Sequence, residues 1–320
     1  MEHGLPVWFK EDQHQLPKLN MNLPDELIYD LPFEKYLGDR SAVSSSGLRK
    51  ILKSPQHYLA EVCGYAKDEE EEKDAYRFGR AAHMLILEPM KFKELYVVEP
   101  EFIGFTKDGR ASAQSGEAKA KRQAWRDSLK PDALVLSKQE MDTLIYMIDS
   151  LAYHQRAGAL LRDGKPEVTG FFTHKETGLR VRIRPDYLTQ DKQGRIYISD
   201  LKTTRDASAG LFAHDVGRFK YHLQLALYYD GIKQITGKEP EAAAFIAIEK
   251  SAPYSCAVYW MNEDDLAIGR GWYEHALRTL KRCIEKNDWP GVQHDAAMIE
   301  LPQWAQNEVF PIFEWADESK

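Results

Sequence analysis

The sequence has few cysteines and no long hydrophobic run. Its three cysteines, Cys63, Cys256 and Cys283, are scattered through 320 residues. An odd number at such wide spacing excludes a disulfide framework and does not fit a zinc or iron–sulfur site. No stretch approaches the roughly 20 apolar residues that span a bilayer. The first residues lack the basic and apolar regions of a secretory signal, so we expect a cytoplasmic protein with no membrane partner.

A surplus of positive charge is also missing. Forty-three lysines and arginines face 50 acidic residues, which gives a formal net charge of −7. This total argues against tight, general adhesion to nucleic acid. Contact with phosphate needs only a local positive potential, so a basic groove on an acidic body is still compatible with the composition. The hydrophobic fraction of 43% is ample for a packed core.

Residues 179–202 carry the strongest local pattern. Arginines alternate with apolar residues over 179–184, and this period of two predicts a half-buried strand. Pro185 cannot donate to a ladder and should end the regular strand. A polar run at 189–195 predicts a turn. With a strand at 167–173, we expect a three-stranded meander.

The strand that follows, residues 196–202, places Asp200 and Lys202 on the same face as two isoleucines. Ionised groups rarely lie on a core-facing side without a partner. Asp186 and Asp200 would converge from adjacent strand ends, and such carboxylates suit Mg²⁺ or Mn²⁺. Lys202 would orient or deprotonate a water, or stabilise a phosphate. The alternative is an ordinary ion pair between Asp200 and Lys202.

Four short motifs occur in order along the chain. They are the serine-rich Ser44 to Pro55, Gly79-x-x-x-His83, Pro185-Asp186 followed by Asp200-Leu201-Lys202, and Gln224-x-x-x-Tyr228. Together they resemble the PD-(D/E)xK nuclease superfamily, and in particular the exodeoxyribonuclease VIII (RecE-like) family, related to lambda exonuclease. The conjunction is far more specific than any single motif.

The resemblance implies an α/β fold, with a restriction-endonuclease-like PD-(D/E)xK core of central mixed β-sheet flanked by helices. We expect an N-terminal arm at residues 1–40, an exonuclease domain at 41–286 and a C-terminal docking tail at 287–320. The arm should be irregular. Apolar periodicity predicts helices at 75–87, 137–156, 217–235 and 264–286, and strands at 242–248 and 254–261.

Site roles follow from the same resemblance. The implied ligands of Mg²⁺, with Mn²⁺ as the alternative, are Asp186, Asp200, the carbonyl of Leu201, and His83. The implied catalytic residues are Lys202, Gln224, His83 and Tyr228. Gln224 would orient the attacking water or a ligand carboxylate, and Tyr228 would pack or bond beside DNA.

Two of the candidate residues also have purely structural interpretations. His83 has Gly79, Ile86 and Leu87 at helical spacing, so on its own it would be an ordinary core histidine. Glu167 begins the strand at 167–173, where it is either an auxiliary acid near the metal or a solubilising group at a sheet edge.

Candidate DNA contacts are the basic residues of two segments and one threonine after the catalytic lysine: Arg49, Lys53, Lys107, Arg110 and Thr203. The first two lie on a predicted helix at 47–52, capped by Ser46. Residues 106–122 lack an apolar period and are either a mobile loop or a clamp that orders on DNA. For the helix, a solvated face explains the charges equally well.

The resemblance implies a metal-dependent exodeoxyribonuclease that degrades the 5′ strand of linear double-stranded DNA and leaves 3′ single-stranded tails for recombination by strand annealing. It further implies a ring-shaped homo-oligomer, trimeric or tetrameric, that acts on DNA ends with a single-strand annealing protein (RecT-like) as partner. Two alternatives stay open: a RecB-like or endonucleolytic relative, or an inactive DNA-binding module of the same fold.

Overall fold

The computed structural model describes residues 23–65, 70–293, 297–300 and 302–303. Their helices are α1 Phe33–Gly38, α2 Ser45–Lys53, α3 Pro55–Val62, α4 Glu70–Leu87, α5 Pro89–Leu95, α6 Gly116–Asp127, α7 Lys138–Tyr153, α8 Gln155–Leu160, α9 Ala209–Arg218, α10 Tyr221–Thr236 and α11 Glu263–Lys286. Their strands are β1 Glu26–Ile28, β2 Tyr96–Val98, β3 Gly104–Phe105, β4 Ala111–Ser112, β5 Leu134–Leu136, β6 Lys165–Pro166, β7 Thr169–Thr173, β8 Arg180–Ile183, β9 Tyr187–Gln190, β10 Ile196–Thr204, β11 Ala242–Glu249 and β12 Cys256–Trp260. Among the described helices, none combines the length and apolar character needed to cross a membrane.

A mixed five-stranded sheet forms the centre, in the order β12-β11-β10-β9-β6. Strands β10 and β11 are parallel and the other neighbours are antiparallel. A parallel pair needs a crossover, which α9 and α10 supply. Strand β11 is almost wholly apolar because helices cover both of its faces. The predicted α/β architecture is confirmed.

Two apolar clusters lie on opposite faces of this sheet, and β10 contributes to both. Ile198 joins the cluster that contains the inward faces of α10 and α11. Leu201 joins the cluster built with α4 and α7. Because side chains alternate along a strand, Asp200 shares the face of Ile198 and points toward α10. The predicted common face of β10 is therefore confirmed.

The expected three-stranded meander is wrong. Strands β7 and β8 pair with each other and with β1 in a separate sheet, whereas β9 pairs with β10. The division falls at Pro185, which has no backbone N–H to continue a ladder. Asp186 therefore lies at the junction of two sheets, between β8 and β9.

Two of the three arginines in residues 180–184 are buried, contrary to the half-buried strand that their alternation predicts. Arg180 is only 1% exposed and Arg184 only 7%. Their guanidinium groups donate to backbone carbonyls near the chain's start, Arg180 to Leu23 at 3.0 Å and Arg184 to Leu31 at 3.0 Å. The arginine face is covered because residues 23–39 lie across it.

The remaining differences concern local ends and loops. Residues 26–28 and 33–38 form β1 and α1 where an irregular arm is expected, and residues 1–22 of that arm lie outside the described part. The 106–122 segment holds the turn that follows β3, then β4 and the start of α6, instead of a loop. Ser44, not Ser46, caps α2, since its Oγ accepts from the Gly47 amide at 3.3 Å.

The other predicted helices and strands are present. The helix expected at 217–235 is two helices, α9 and α10, separated at Lys220, whose φ of 52° is left-handed. The helix expected at 75–87 begins earlier, at Glu70. Part of the predicted tail at 287–320 lies outside the described residues.

Replacing Arg180 by alanine should destabilise the protein strongly. The guanidinium donates to the carbonyls of Leu23 and Pro24, to Asp25 and to Thr173, and its loss would remove all four of these hydrogen bonds. We expect the free energy of unfolding in urea to fall by about 3 kcal/mol. Arg195→Ala, which removes a half-exposed arginine, is the matched control and should change stability little. Equal losses in both variants would contradict this account of the buried arginine.

Candidate active site

The site begins where the ladder between β9 and β10 stops. Their last paired residues are Tyr187 and Ser199. Beyond that point the Leu201 amide donates to a side chain instead, Asp186 Oδ2, at 2.6 Å. The sequence Pro185-Asp186 thus ends one sheet and delivers a carboxylate to the open edge of the next. Asp186 is 9% exposed.

Asp200 lies in the middle of β10 and has no exposed surface. Its Oδ2 forms an ion pair with Lys202 Nζ, and its Oδ1 accepts from Gln224 Nε2 at 3.0 Å. The same Gln224 nitrogen donates to the Tyr228 hydroxyl at 2.9 Å. Gln224 and Tyr228 reach one point because residues four apart lie on one face of α10.

His83 on α4 and Glu167 in the turn between β6 and β7 complete the group. His83 Nδ1 lies 3.5 Å from Asp186 Oδ2. Ligand atoms of His83, Glu167 and Asp186 all lie within 4.8 Å of one another. The His83 ring therefore faces carboxylates, and the interpretation as an ordinary apolar-core histidine is wrong.

Glu167 is the residue that sequence reasoning left ambiguous. It has a left-handed φ of 52°, and its carboxylate accepts from Arg184 Nε at 2.6 Å. Only 18% of its side chain is exposed, so solubility at a sheet edge does not explain it. No periodicity marks this position, because an isolated turn conformation, not a strand face, aims the side chain.

The charges in this group perturb one another. Burial first, and then the charge of Asp186, raises the pKa of Glu167 to about 7. The pKa of Asp186 is also raised, by burial and by repulsion from Asp200. Burial and the nearby Lys202 ammonium lower the pKa of His83. The acids are thus held close together at a cost that a cation would relieve.

Lys202 stays charged in this setting. Burial lowers its pKa, but the attractions of Asp200 and Asp186 outweigh that effect and the net pKa is raised. Its Nζ also lies 4.8 Å from the centre of the Tyr221 ring. The ammonium is therefore a permanent positive group beside the carboxylates.

The donor set fits a divalent cation. Carboxylate oxygens with one imidazole suit Mg²⁺ or Mn²⁺, and burial together with mutual repulsion raises the pKa of both Glu167 and Asp186. The set that lies closest together is His83, Glu167 and Asp186. Asp200 is oriented by Lys202 and Gln224, and its role as a ligand stays a prediction, as does that of the Leu201 carbonyl.

The predicted DNA contacts fall in three places. Arg49 and Lys53 lie on α2, where Arg49 Nη1 donates to the Phe219 carbonyl at 3.2 Å. Thr203 follows Lys202 on β10, and its hydroxyl lies on the side of Gly79 in α4. Lys107 and Arg110 lie exposed on the β3–β4 hairpin, and Arg110 pairs with Asp108 at 3.3 Å. The contact to Phe219 places Arg49 beside the α9–α10 turn. Phe219 precedes Tyr221 by two residues.

The family model for a PDDEXK-like domain of unknown function (DUF3799) matches residues 44–302. The chain belongs to this family. Among solved structures, a "Putative exonuclease" from Eubacterium rectale superposes with a TM-score of 0.51 and 14% identity, over 88% of this chain and 95% of the other. Another solved structure, SSO0001, superposes with a TM-score of only 0.32 and 14% identity, over 77% of this chain and 81% of the other. No curated protein matches.

The predicted superfamily and fold are therefore confirmed, and a PDDEXK-like domain supports a nuclease. The likeness to the Eubacterium rectale protein shows a shared fold. The narrower RecE-like assignment and the roles of individual residues stay predictions. The structure brings together, in adjoining contacts, His83, Asp186, Asp200, Leu201, Lys202, Gln224 and Tyr228.

Stability should depend on pH through Glu167 when metal is removed. Its pKa is about 7 when folded, against an ordinary value of 4.5, so the folded state binds more protons than the unfolded state between these pH values. The free energy of unfolding in a chelator should then fall from about pH 5 to about pH 8, by up to about 3 kcal/mol from this group.

Glu167→Gln removes the titrating group and should flatten this fall, as measured by urea unfolding at both pH values. Added Mg²⁺ or Mn²⁺ should stabilise the native protein more at about pH 8 than at about pH 5, because ligands bind metal only when deprotonated. An unchanged slope in the variant would show that Glu167 does not titrate as described.

Proposed function

We propose that this protein is a metal-dependent exodeoxyribonuclease of the RecE-like kind, which hydrolyses the 5′ strand of linear double-stranded DNA and leaves 3′ single-stranded tails. The observation that supports it best is the convergence of five chain segments on one acidic site. These segments contribute His83, Glu167, Asp186, Asp200 with Lys202, and Gln224 with Tyr228. The Eubacterium rectale protein carries an exonuclease name, which agrees with the proposal.

The proposed ligands of the Mg²⁺ or Mn²⁺ ion are His83, Glu167, Asp186 and Asp200, with the Leu201 carbonyl. When bound, such an ion lowers the pKa of a coordinated water and offsets charge on the phosphate. Asp186 is oriented for this role by the Leu201 amide. Asp200 is oriented by Gln224.

Lys202 would stabilise charge on the phosphate and not remove a proton from water. Burial lowers the pKa of Lys202, but attraction to Asp200 and Asp186 more than offsets this effect. The net pKa is raised, so the ammonium persists at neutral pH. A charged donor held in a partly buried site, where 14% of its side chain is exposed, offsets negative charge far better than one in water.

Gln224 would orient the attacking water. Its amide nitrogen donates to Asp200 and to the Tyr228 hydroxyl, which uses both of its hydrogens. The amide oxygen is then the group with capacity to accept from water. Tyr228 would act through Gln224, by holding the amide in this orientation.

Polarity, assembly and partners belong to the same proposal. Cleavage from a 5′ end, a trimeric or tetrameric ring around DNA and a single-strand annealing partner are supported by the ordered motifs. A ring would give a firm grip on DNA by enclosure, which agrees with the net charge of −7. Sedimentation as a monomer would count against the ring.

Lys202→Ala should lower metal-dependent hydrolysis of linear duplex by about a hundredfold or more, because it removes the charge that stabilises the transition state. The control is Lys233→Ala, which removes a half-exposed lysine on α10 paired with Glu239. Rates are measured with excess Mg²⁺, and thermal melting checks that both variants fold. Full activity in Lys202→Ala would refute the assigned role.

Linear duplex labelled at one 5′ end should lose its labelled strand progressively with Mg²⁺ and remain intact in a chelator. Closed-circular duplex of the same sequence is the control and should not be cut, since the proposed enzyme needs a free end. Cleavage of the circle would favour an endonuclease. Binding of duplex without any metal-dependent hydrolysis would favour an inactive module.

A further inference from the structure

Residues 218–221, Arg-Phe-Lys-Tyr, alternate cations with aromatic rings at the turn between α9 and α10. Phe219 is the C-cap of α9 and is 43% exposed. Lys220 is the N-cap of α10. A single exposed phenylalanine is common on protein surfaces, so its meaning depends on what surrounds it.

Phe219 is the outer member of a row of three side chains, Lys202, Tyr221 and Phe219, that starts at the active site. The Phe219 and Tyr221 rings stack, with centroids 5.5 Å apart and planes 27° from parallel. Lys202 Nζ lies 4.8 Å from the centre of the Tyr221 ring. Tyr221 also packs against the core residue Phe245, with ring centroids 6.1 Å apart. The row therefore runs from the proposed catalytic ammonium, through an anchored tyrosine, to an exposed ring.

Three positive groups lie at or beside this turn. The Arg218 guanidinium lies 5.2 Å from the Phe219 ring centre, and Arg49 donates to the Phe219 carbonyl at 3.2 Å. Lys220 Nζ lies 4.0 Å from the ring centre of Trp272. Aromatic faces beside guanidinium and ammonium groups are the chemistry that binds single-stranded nucleic acid, by stacking on bases and pairing with phosphates.

The backbone at this turn is strained. Lys220 has φ 52° and ψ 44°, a left-handed conformation that costs a non-glycine residue about 1 kcal/mol. This turn brings the rings of residues 219 and 221 to the same side, one over the other. Strain of this kind persists where the surrounding structure holds it, and it is frequent at ligand-binding sites.

We propose that Phe219 binds the substrate directly, by stacking on an unpaired nucleobase of the strand held in the active site. Arg218 and Arg49 would pair with the flanking phosphates. The proposal rests on the proposed function, because it requires a nucleic acid strand in this site. Stacking does not depend on base identity, so it would hold every successive nucleotide in the same place.

The test compares removal of the ring with removal of the base. Duplexes carry one abasic residue at each of the first few positions from the 5′ end, and affinity is measured by fluorescence anisotropy in a chelator, so that no strand is cut. For wild type we expect one position at which the missing base lowers affinity about tenfold. Phe219→Ala should lower affinity for the complete duplex about tenfold and show no further loss with the abasic duplex.

Two variants act as controls. Phe219→Trp keeps an aromatic face and should restore both affinity and sensitivity to the abasic position. Tyr153→Ala removes an aromatic residue that is 88% exposed at the end of α7 and should behave as wild type. Additive losses for Phe219→Ala and the abasic residue, or no sensitive position in wild type, would overturn the proposal.

Failure of stacking and failure of nuclease function give different results. Hydrolysis with Mg²⁺ is measured on the complete duplex for each variant. Metal-dependent hydrolysis together with additive binding losses would leave the nuclease intact and remove the stacking role. Non-additive binding losses without hydrolysis in wild type would leave the stacking role intact and remove the nuclease.

Discussion

One hydrogen bond connects the two sheets at the site, from the Leu201 amide to Asp186 Oδ2. It exists because Pro185 cannot extend β8 and because the β9–β10 ladder ends at Ser199. A free strand amide at that edge would otherwise need water or another chain. The carboxylate that satisfies it is thereby held in place before any metal binds. The architecture and the proposed ligand arrangement thus depend on the same break in the backbone.

A second series of contacts joins the break at Pro185 to the N-terminal segment, residues 23–39. Arg184 donates to Leu31, to Thr169 and to Glu167. The buried guanidinium needs these acceptors because an unpaired buried charge is costly. Its charge also limits the rise in the pKa of Glu167, which burial and Asp186 drive upward. The segment over the arginine face therefore helps to set the electrostatics of the site, although it lies outside the residues matched by the family model.

The sequence was sufficient to predict where a site side chain lies when hydrophobic pattern and motif agree. The shared face of Asp200 and Ile198 follows from a period of two, and Gln224 with Tyr228 follows from helical spacing. It was insufficient where distant segments decide the outcome. The burial of Arg180 depends on a segment about 155 residues away, and the orientation of Glu167 depends on a single left-handed residue. Neither leaves a periodic signal.

Local charge reconciles the acidic composition with a nucleic acid substrate. The acids at the centre of the site are buried and partly hold their protons without metal, so they project less negative charge than their number suggests. Arg49, Arg218 and Lys220 gather at one turn beside them. Exposed charges separated by more than about 8 Å are largely screened at physiological salt. A strand approaching this turn would therefore experience the local cations more than the total of −7, which is why net charge alone could not decide what the protein binds.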